Sequence, residues 1–290
     1  MAQLRRYRKF CEQFNFKPFP CPASRATIYA TYLSNSIKPV SIRNYMSAIW
    51  YYHKMHGLPE FSSDFLLKQT LNGIERTLCN REKLGKYPIT VDDLLAMHTL
   101  LDMSVTEDCI FWIAVIMCFR GLLRKSHVTC SPHALNVCDV RISPECIKLR
   151  IKSSKTDQFG LHPFTICLMR VPGSPLCPGD LLERILTPPV QHECLLTLKV
   201  GRIYTPLSYS YFNSRLKSLA STLGLPVHRV SSHSLRHGGA TLLKSLGVSV
   251  GDIMLRGNWR SKAVSRYLHQ SECEMKKLDA KPCEYFASLM

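Results

Sequence analysis

The chain is poor in acidic residues: 21 Asp and Glu stand against 38 Lys and Arg, a formal net charge of +17. A field that positive favours polyanionic partners, nucleic acid and anionic membrane surfaces being the two common ones; the bland alternative is simple solubility. Behind the opening QLRRYRKF no long apolar run follows. That argues against a signal peptide or a spanning helix, so no membrane association and an intracellular, reducing location are expected. Disulfide spacing is also missing. The cysteines number 13, an odd count without a single CxxC pair, and several sit in apolar runs such as IAVIMCF, so they read as reduced core residues. A zinc site needs Cys and His clustered at short spacing, and the closest approaches, Cys130 with His133 and Cys273 with Cys283, lack further partners. Neither a metal nor a cofactor is therefore expected. No internal repeat is evident. What is present is ordinary for a globular protein, 46% hydrophobic and 20% charged over 290 residues, enough for two domains or one large one.

Along the chain the first eighty or so residues read as helical. In segment 40–56, Ile42, Tyr45, Met46, Ile49 and Tyr52 line one face while Arg43 and Lys54 point elsewhere. Ser24 and Ser62 are the expected N-caps of the flanking helices. The basic stretch NREKLGKYP, with Gly and Pro, reads as an interdomain strap, dividing the chain into 1–85 and 86–290. Lys83 and Lys86 there are candidate DNA-backbone contacts, as is Arg43, and solvation of a linker explains the two lysines equally well. Thr90 with Asp92 and Asp93 starts another helix, and residues 107–123 form a strongly apolar one. The period then changes to two: Ile147, Leu149 and Ile151 alternate, then Phe164, Ile166 and Leu168, predicting a β-hairpin. Residues 171–190, rich in proline, read as loop, and helical periodicity resumes near Ser208. The expected fold class is mainly α with a small antiparallel β-sheet.

The sharpest signal is HSLRHGGATLLKSLGVSVGDIMLRGNWRSKAVSRYLH, residues 233–269. His233 and Arg236 are three apart, so a helix places them on one face. Trp259 and Tyr267 follow, expected on later short helices. A lone HxxR carries little, and a single histidine is more often a core or capping residue.

This stretch resembles the second box of tyrosine recombinases and phage integrases, which runs HxxR, then His or Trp, then a nucleophilic tyrosine: here His233, Arg236, Trp259 and Tyr267. CFRGLLRKSHV resembles the same family's earlier box, with Arg124 in the catalytic place, and SSKTDQFG resembles its β-hairpin lysine, through Lys155. The elements occur in the family's chain order across most of 86–270. The text VSIRNYMSAIWYYHKMHGLPEF further resembles the helical core-binding domain of recombinases from DIRS and Ngaro-like retroelements and Cryptons. Departures exist. His127 stands where many members carry a carboxylate, and Trp259 and Tyr267 are eight apart, tighter than in bacterial members. Tyr285 is the other downstream tyrosine, but it lies far from Trp259 without the surrounding motif.

The resemblance implies a helical core-binding domain, 1–85, that clamps DNA, and a catalytic domain, 86–290. It also implies double-stranded DNA as partner, a homotetramer on two duplexes, a C-terminal segment exchanged between protomers, and, for a recombinase of a eukaryotic mobile element, a nuclear location. Arg124 and Arg236 would clamp the phosphate, because guanidinium offers paired donors that fit it and stays charged. His233 and Trp259 would add hydrogen bonds, Tyr267 would attack, and Lys155 would protonate the leaving oxygen. Lys152 is the alternative acid, though it lies on the strand rather than in the turn. Taken singly, each residue has an ordinary reading: Arg124 as an ion-pair partner, Lys155 as an exposed turn residue, Trp259 as core. Two rival functions share these motifs, a domesticated DNA-binding protein that no longer cuts and a type IB topoisomerase-like enzyme.

Overall fold

The structure, a computed structural model, describes residues 2–78, 85–153, 157, 160–187, 192–201 and 203–259. Lys83, Lys155, Tyr267 and Tyr285 lie outside the described residues. The chain divides into two compact units, Met1–Leu84 and Gly85–Met290, each with a core of its own.

The first unit is helical: α1 (Ala2–Gln13), α2 (Ala23–Ser34), α3 (Pro39–Met55) and α4 (Phe65–Leu78). The periodicity of α3 works as the sequence indicates, with Ile42, Met46 and Ile49 buried, Tyr45 and Tyr52 half-buried, and Arg43 and Lys54 exposed. Tyr7, Phe10 and Tyr29 pack from α1 and α2 into the same core. Neither expected serine cap forms. Helix α2 starts behind Pro22, which places Ser24 inside its first turn. At α4 the Asp64 carboxylate accepts the Leu67 N–H at 2.8 Å, while Ser62 donates to Glu60. A carboxylate beside the positive end of a helix outcompetes a hydroxyl two residues further away.

In the second unit α5 (Val91–His98) opens with a reciprocal cap between Thr90 and Asp93, as the sequence indicates. Helix α6 (Thr106–Arg120) is buried at every position from Asp108 to Phe119, so it runs through the core rather than along its surface. The short α7 (Lys125–Val128) follows. An antiparallel sheet comprises β1 (Val140–Ile142), β2 (Cys146–Ile151) and β3 (Phe164–Met169). Its register sets Ile147 opposite Leu168, Leu149 opposite Ile166 and Ile151 opposite Phe164, so one face is entirely core.

One expectation fails here, and one element was not foreseen. The proline-rich stretch contains α8 (Gly179–Leu186), because its prolines fall outside the turns: Pro178 is the N-cap and Leu182 is buried. A second hairpin, β4 (Thr197–Val200) with β5 (Ile203–Pro206), has strands too short to show alternation. Helix α9 (Tyr209–Thr222) is capped by Ser208, and α10 (Ser232–Ser245) and α11 (Val250–Gly257) complete the described unit.

Candidate functional site

The site forms where the end of α6, the start of α7, the N-terminal half of α10 and the residues after α11 converge. Helix α10 reaches this position because Gly238 and Gly239 carry no side chain. A Cβ on Gly238 would lie 1.8 Å from the Ile89 carbonyl oxygen, and one on Gly239 would lie 2.1 Å from that of Phe119. Backbone therefore meets backbone. The segment Gly85–Ile89 is tied along the same helix, with Ile89 N–H donating to Ser234 O at 3.2 Å and His237 Nδ1 3.1 Å from Lys86 O.

Arg236 is 4% exposed. Its guanidinium donates to the carbonyls of Leu122 and Gly257, which fix the fork. Arg124, at the N-cap of α7, donates to the next carbonyl, Asn258 O, at 3.0 Å. Two guanidiniums far apart in the unit's sequence thus grip successive carbonyls of one turn. That turn needs a left-handed residue, and Asn258 supplies it at φ 48°. Gly257 is required for a different reason: a Cβ there would sit 2.0 Å from the Trp259 ring. Trp259 then lies on Arg236, its ring centroid 4.0 Å from the guanidinium carbon.

His233, in the first turn of α10, is exposed at its edge. Partial burial, then the charges of Arg236, Lys125, Arg124 and Lys86, hold its pKa below the usual imidazole value. Lys125 itself lies over the Tyr209 ring, 3.5 Å from the centroid. The outcome is a basin of fixed positive charge with an imidazole at its rim and an indole ring stacked on one of its guanidiniums. Such a set can hold an anion and stabilise charge developing on its oxygens.

Of the residues singled out from sequence, the structure therefore brings together Arg124, His233, Arg236 and Trp259. Lys86 adds its charge near His233. Arg43 lies on α3 of the other unit, paired with Glu75 at 2.8 Å and Asn72 at 3.0 Å. Sequence reasoning did not find Lys125, nor the part played by Asn258 and by the two glycines of α10. The GN pair ahead of Trp259 was the readable sign of a helix end. Lys152 pairs with Asp139 at 2.9 Å, which raises its pKa. Among the described residues no group of three or more His, Cys, Asp or Glu is arranged to hold a metal ion, and no helix is long and apolar enough to cross a membrane.

The fold is that of the tyrosine recombinases, a helical unit followed by a larger, mainly helical unit with a small antiparallel sheet. Three solved structures illustrate the likeness. XerH site-specific recombinase bound to palindromic difH substrate, in a post-cleavage complex, superposes with a TM-score of 0.64 at 17% identity, over 91% of this chain and 72% of that one. Tn1549 transposon integrase in complex with circular intermediate DNA gives 0.60 at 15% identity, over 94% and 90% of the two chains. The same integrase with transposon right end DNA gives 0.62 at 12%, over 97% and 92%. At these identities the likeness is one of fold. No protein-family model matches the sequence, and no curated protein matches it.

Proposed function

We propose that this chain binds duplex DNA and cuts and rejoins it through a tyrosine nucleophile, without a metal. The observation that carries the reading is the convergence of Arg124 and Arg236 on the turn at 257–258, with Trp259 stacked on Arg236. In this reading the scissile phosphate lies in the cationic basin, its non-bridging oxygens held by the two arginines with hydrogen bonds from His233 and Trp259. The Tyr267 oxygen attacks phosphorus as its phenolic proton passes to water, a P–O bond to the 5′ oxygen breaks, and Lys155 gives that oxygen its proton. The product is a 3′-phosphotyrosine and a free 5′ hydroxyl. Attack by a 5′ hydroxyl on the phosphotyrosine reverses the step, so resealing needs no ATP. If that hydroxyl belongs to another strand, the outcome is recombination.

The finer reading is a mobile-element recombinase acting in the nucleus as a homotetramer on two duplexes. Its support is the resemblance of residues 40–61 to element recombinases and the likeness of fold to a transposon integrase. Arg43, Lys83 and Lys86 belong to the reading as backbone contacts.

The test uses a pool of nicked suicide duplexes of varied sequence, from which the leaving strand diffuses away. A covalent protein–DNA adduct on a denaturing gel is expected, absent in Tyr267→Phe and slowed by about 100-fold or more in Arg236→Ala, as for loss of a charge-stabilising donor. An adduct that persists in Tyr267→Phe rejects the nucleophile. No adduct with any duplex, from protein that still binds DNA, favours the reading as a silent DNA-binding protein.

A further inference from the structure

The three-stranded sheet has a second face that the site does not use. Its inner face, Ile147, Leu149, Ile151, Ile166 and Leu168, is buried. The outer face presents Arg141, Lys148 and Arg150, all exposed. The register sets Arg141 directly opposite Lys148, and Arg150 follows Lys148 on the same face, about 7 Å along the strand.

Like charges directly opposite each other destabilise a sheet, and the usual remedy is a nearby carboxylate. Among the described residues none is paired with these cations. Asp139, just before β1, is taken by Lys152 at 2.9 Å and by the Asn136 N–H at 3.0 Å. Glu145 lies at the opposite end of β2 and pairs with none of them. No described hydrogen bond links the three to Arg124, His233, Arg236 or Trp259.

We infer that this outer face is a second phosphate-backbone contact for duplex nucleic acid, separate from the cationic basin. A duplex offers about one negative charge per 1.7 Å of axis, so a rigid row of cations finds phosphates without reading bases. A protein partner fits less well. The face lacks an aromatic anchor, its remaining exposed residues being Thr165, Cys167 and Met169, and the centre of a protein–protein interface is depleted of charged residues. The inference rests on the DNA-binding reading above and adds where a length of duplex outside the cleavage point is held.

The experiment measures affinity of the full chain for a random-sequence duplex by fluorescence anisotropy as a function of salt. The variant Lys148→Gln/Arg150→Gln should lower the slope of log affinity against log salt by about 1.8, roughly 0.9 for each phosphate that is no longer neutralised. A control of equal charge change, Lys199→Gln/Lys217→Gln, should leave it nearly unchanged. Lys148→Glu should raise the melting temperature, because Arg141 gains a partner, while weakening DNA binding. Equal slope losses in the test and control pairs reduce the effect to net charge and overturn the inference, as does an unchanged slope in the test pair when the wild-type chain binds. Retention of the slope with loss of binding to polyglutamate assigns the face to an acidic protein and also overturns it. A wild-type chain that binds no duplex removes the DNA-binding reading itself, a failure distinct from that of this face.

Discussion

His127 shows what one residue does to the electrostatics of the basin. It is 2% exposed, and a backbone hydrogen bond with Ser153, which favours the charged ring, is outweighed by what surrounds it. Burial, then the charges of Arg124, Arg236 and His133, push its pKa down to about 3 from the usual 6.5. The imidazole is therefore neutral at any working pH, so it leaves the arginine charge uncancelled, where a carboxylate would neutralise half of it. A histidine depressed in the folded state takes up its proton on unfolding, so the unfolded chain binds more protons between these two values. Stability should be fully present above pH 6.5 and fall as pH drops towards 3, by at most about 1.4 kcal/mol per pH unit from this group. His233 acts in the same direction. Urea denaturation at about pH 7.5 and about pH 5, on either side of the ordinary imidazole value, checks this. His127→Gln should flatten the dependence, and an equal slope in that variant would assign it to other groups. The arginines of the basin were legible in the sequence from motif order. The state of His127 was not, because burial between two guanidiniums is a property of packing.

At the scale of elements, α10 is positioned by the absence of two side chains. The contacts that a Cβ at Gly238 or Gly239 would make are with backbone oxygens of Ile89 and Phe119, which lie in packed segments and cannot rotate away. Gly239→Ala should destabilise the fold by about 1–3 kcal/mol in chemical denaturation, as overpacking does, and displace Arg236 with the helix. Gly73→Ala on α4 is the contrast. Nothing lies within 4 Å of its added Cβ, so it should be neutral or stabilising by up to about 1 kcal/mol. Equal behaviour of the two variants would refute this account of α10. The strands β2 and β3 were readable because one face of each is core and the other is wet. Helix α8 and the β4–β5 hairpin were not, since each is too short for its period to stand out against the prolines and turns around it.

For the molecule as a whole, the two units have separate cores, one built on Tyr7, Phe10, Tyr29 and Ile42, the other on α6 and the sheet. Each buries its own apolar residues, so fragments 1–84 and 85–290 should each melt cooperatively when made alone. Circular dichroism of the fragments tests this, and loss of the transition in either one would show that its core depends on the other. The charge of +17 belongs to the same scale, since it acts on partners through the summed field rather than through a single contact.

The amino-acid sequence alone determined the fold class and the core positions of α3 and the hairpin, and it singled out Arg124, His233, Arg236 and Trp259 as candidates, because hydrophobic period and motif order are local properties of the chain. Tertiary structure decided that Arg124, Arg236 and Trp259 meet at the turn 257–258 with His233 near the two arginines, that His127 is neutral, and that Arg141 and Lys148 face each other across a sheet. Those facts depend on which backbones approach closely, and close approach is set by packing between segments far apart in the chain.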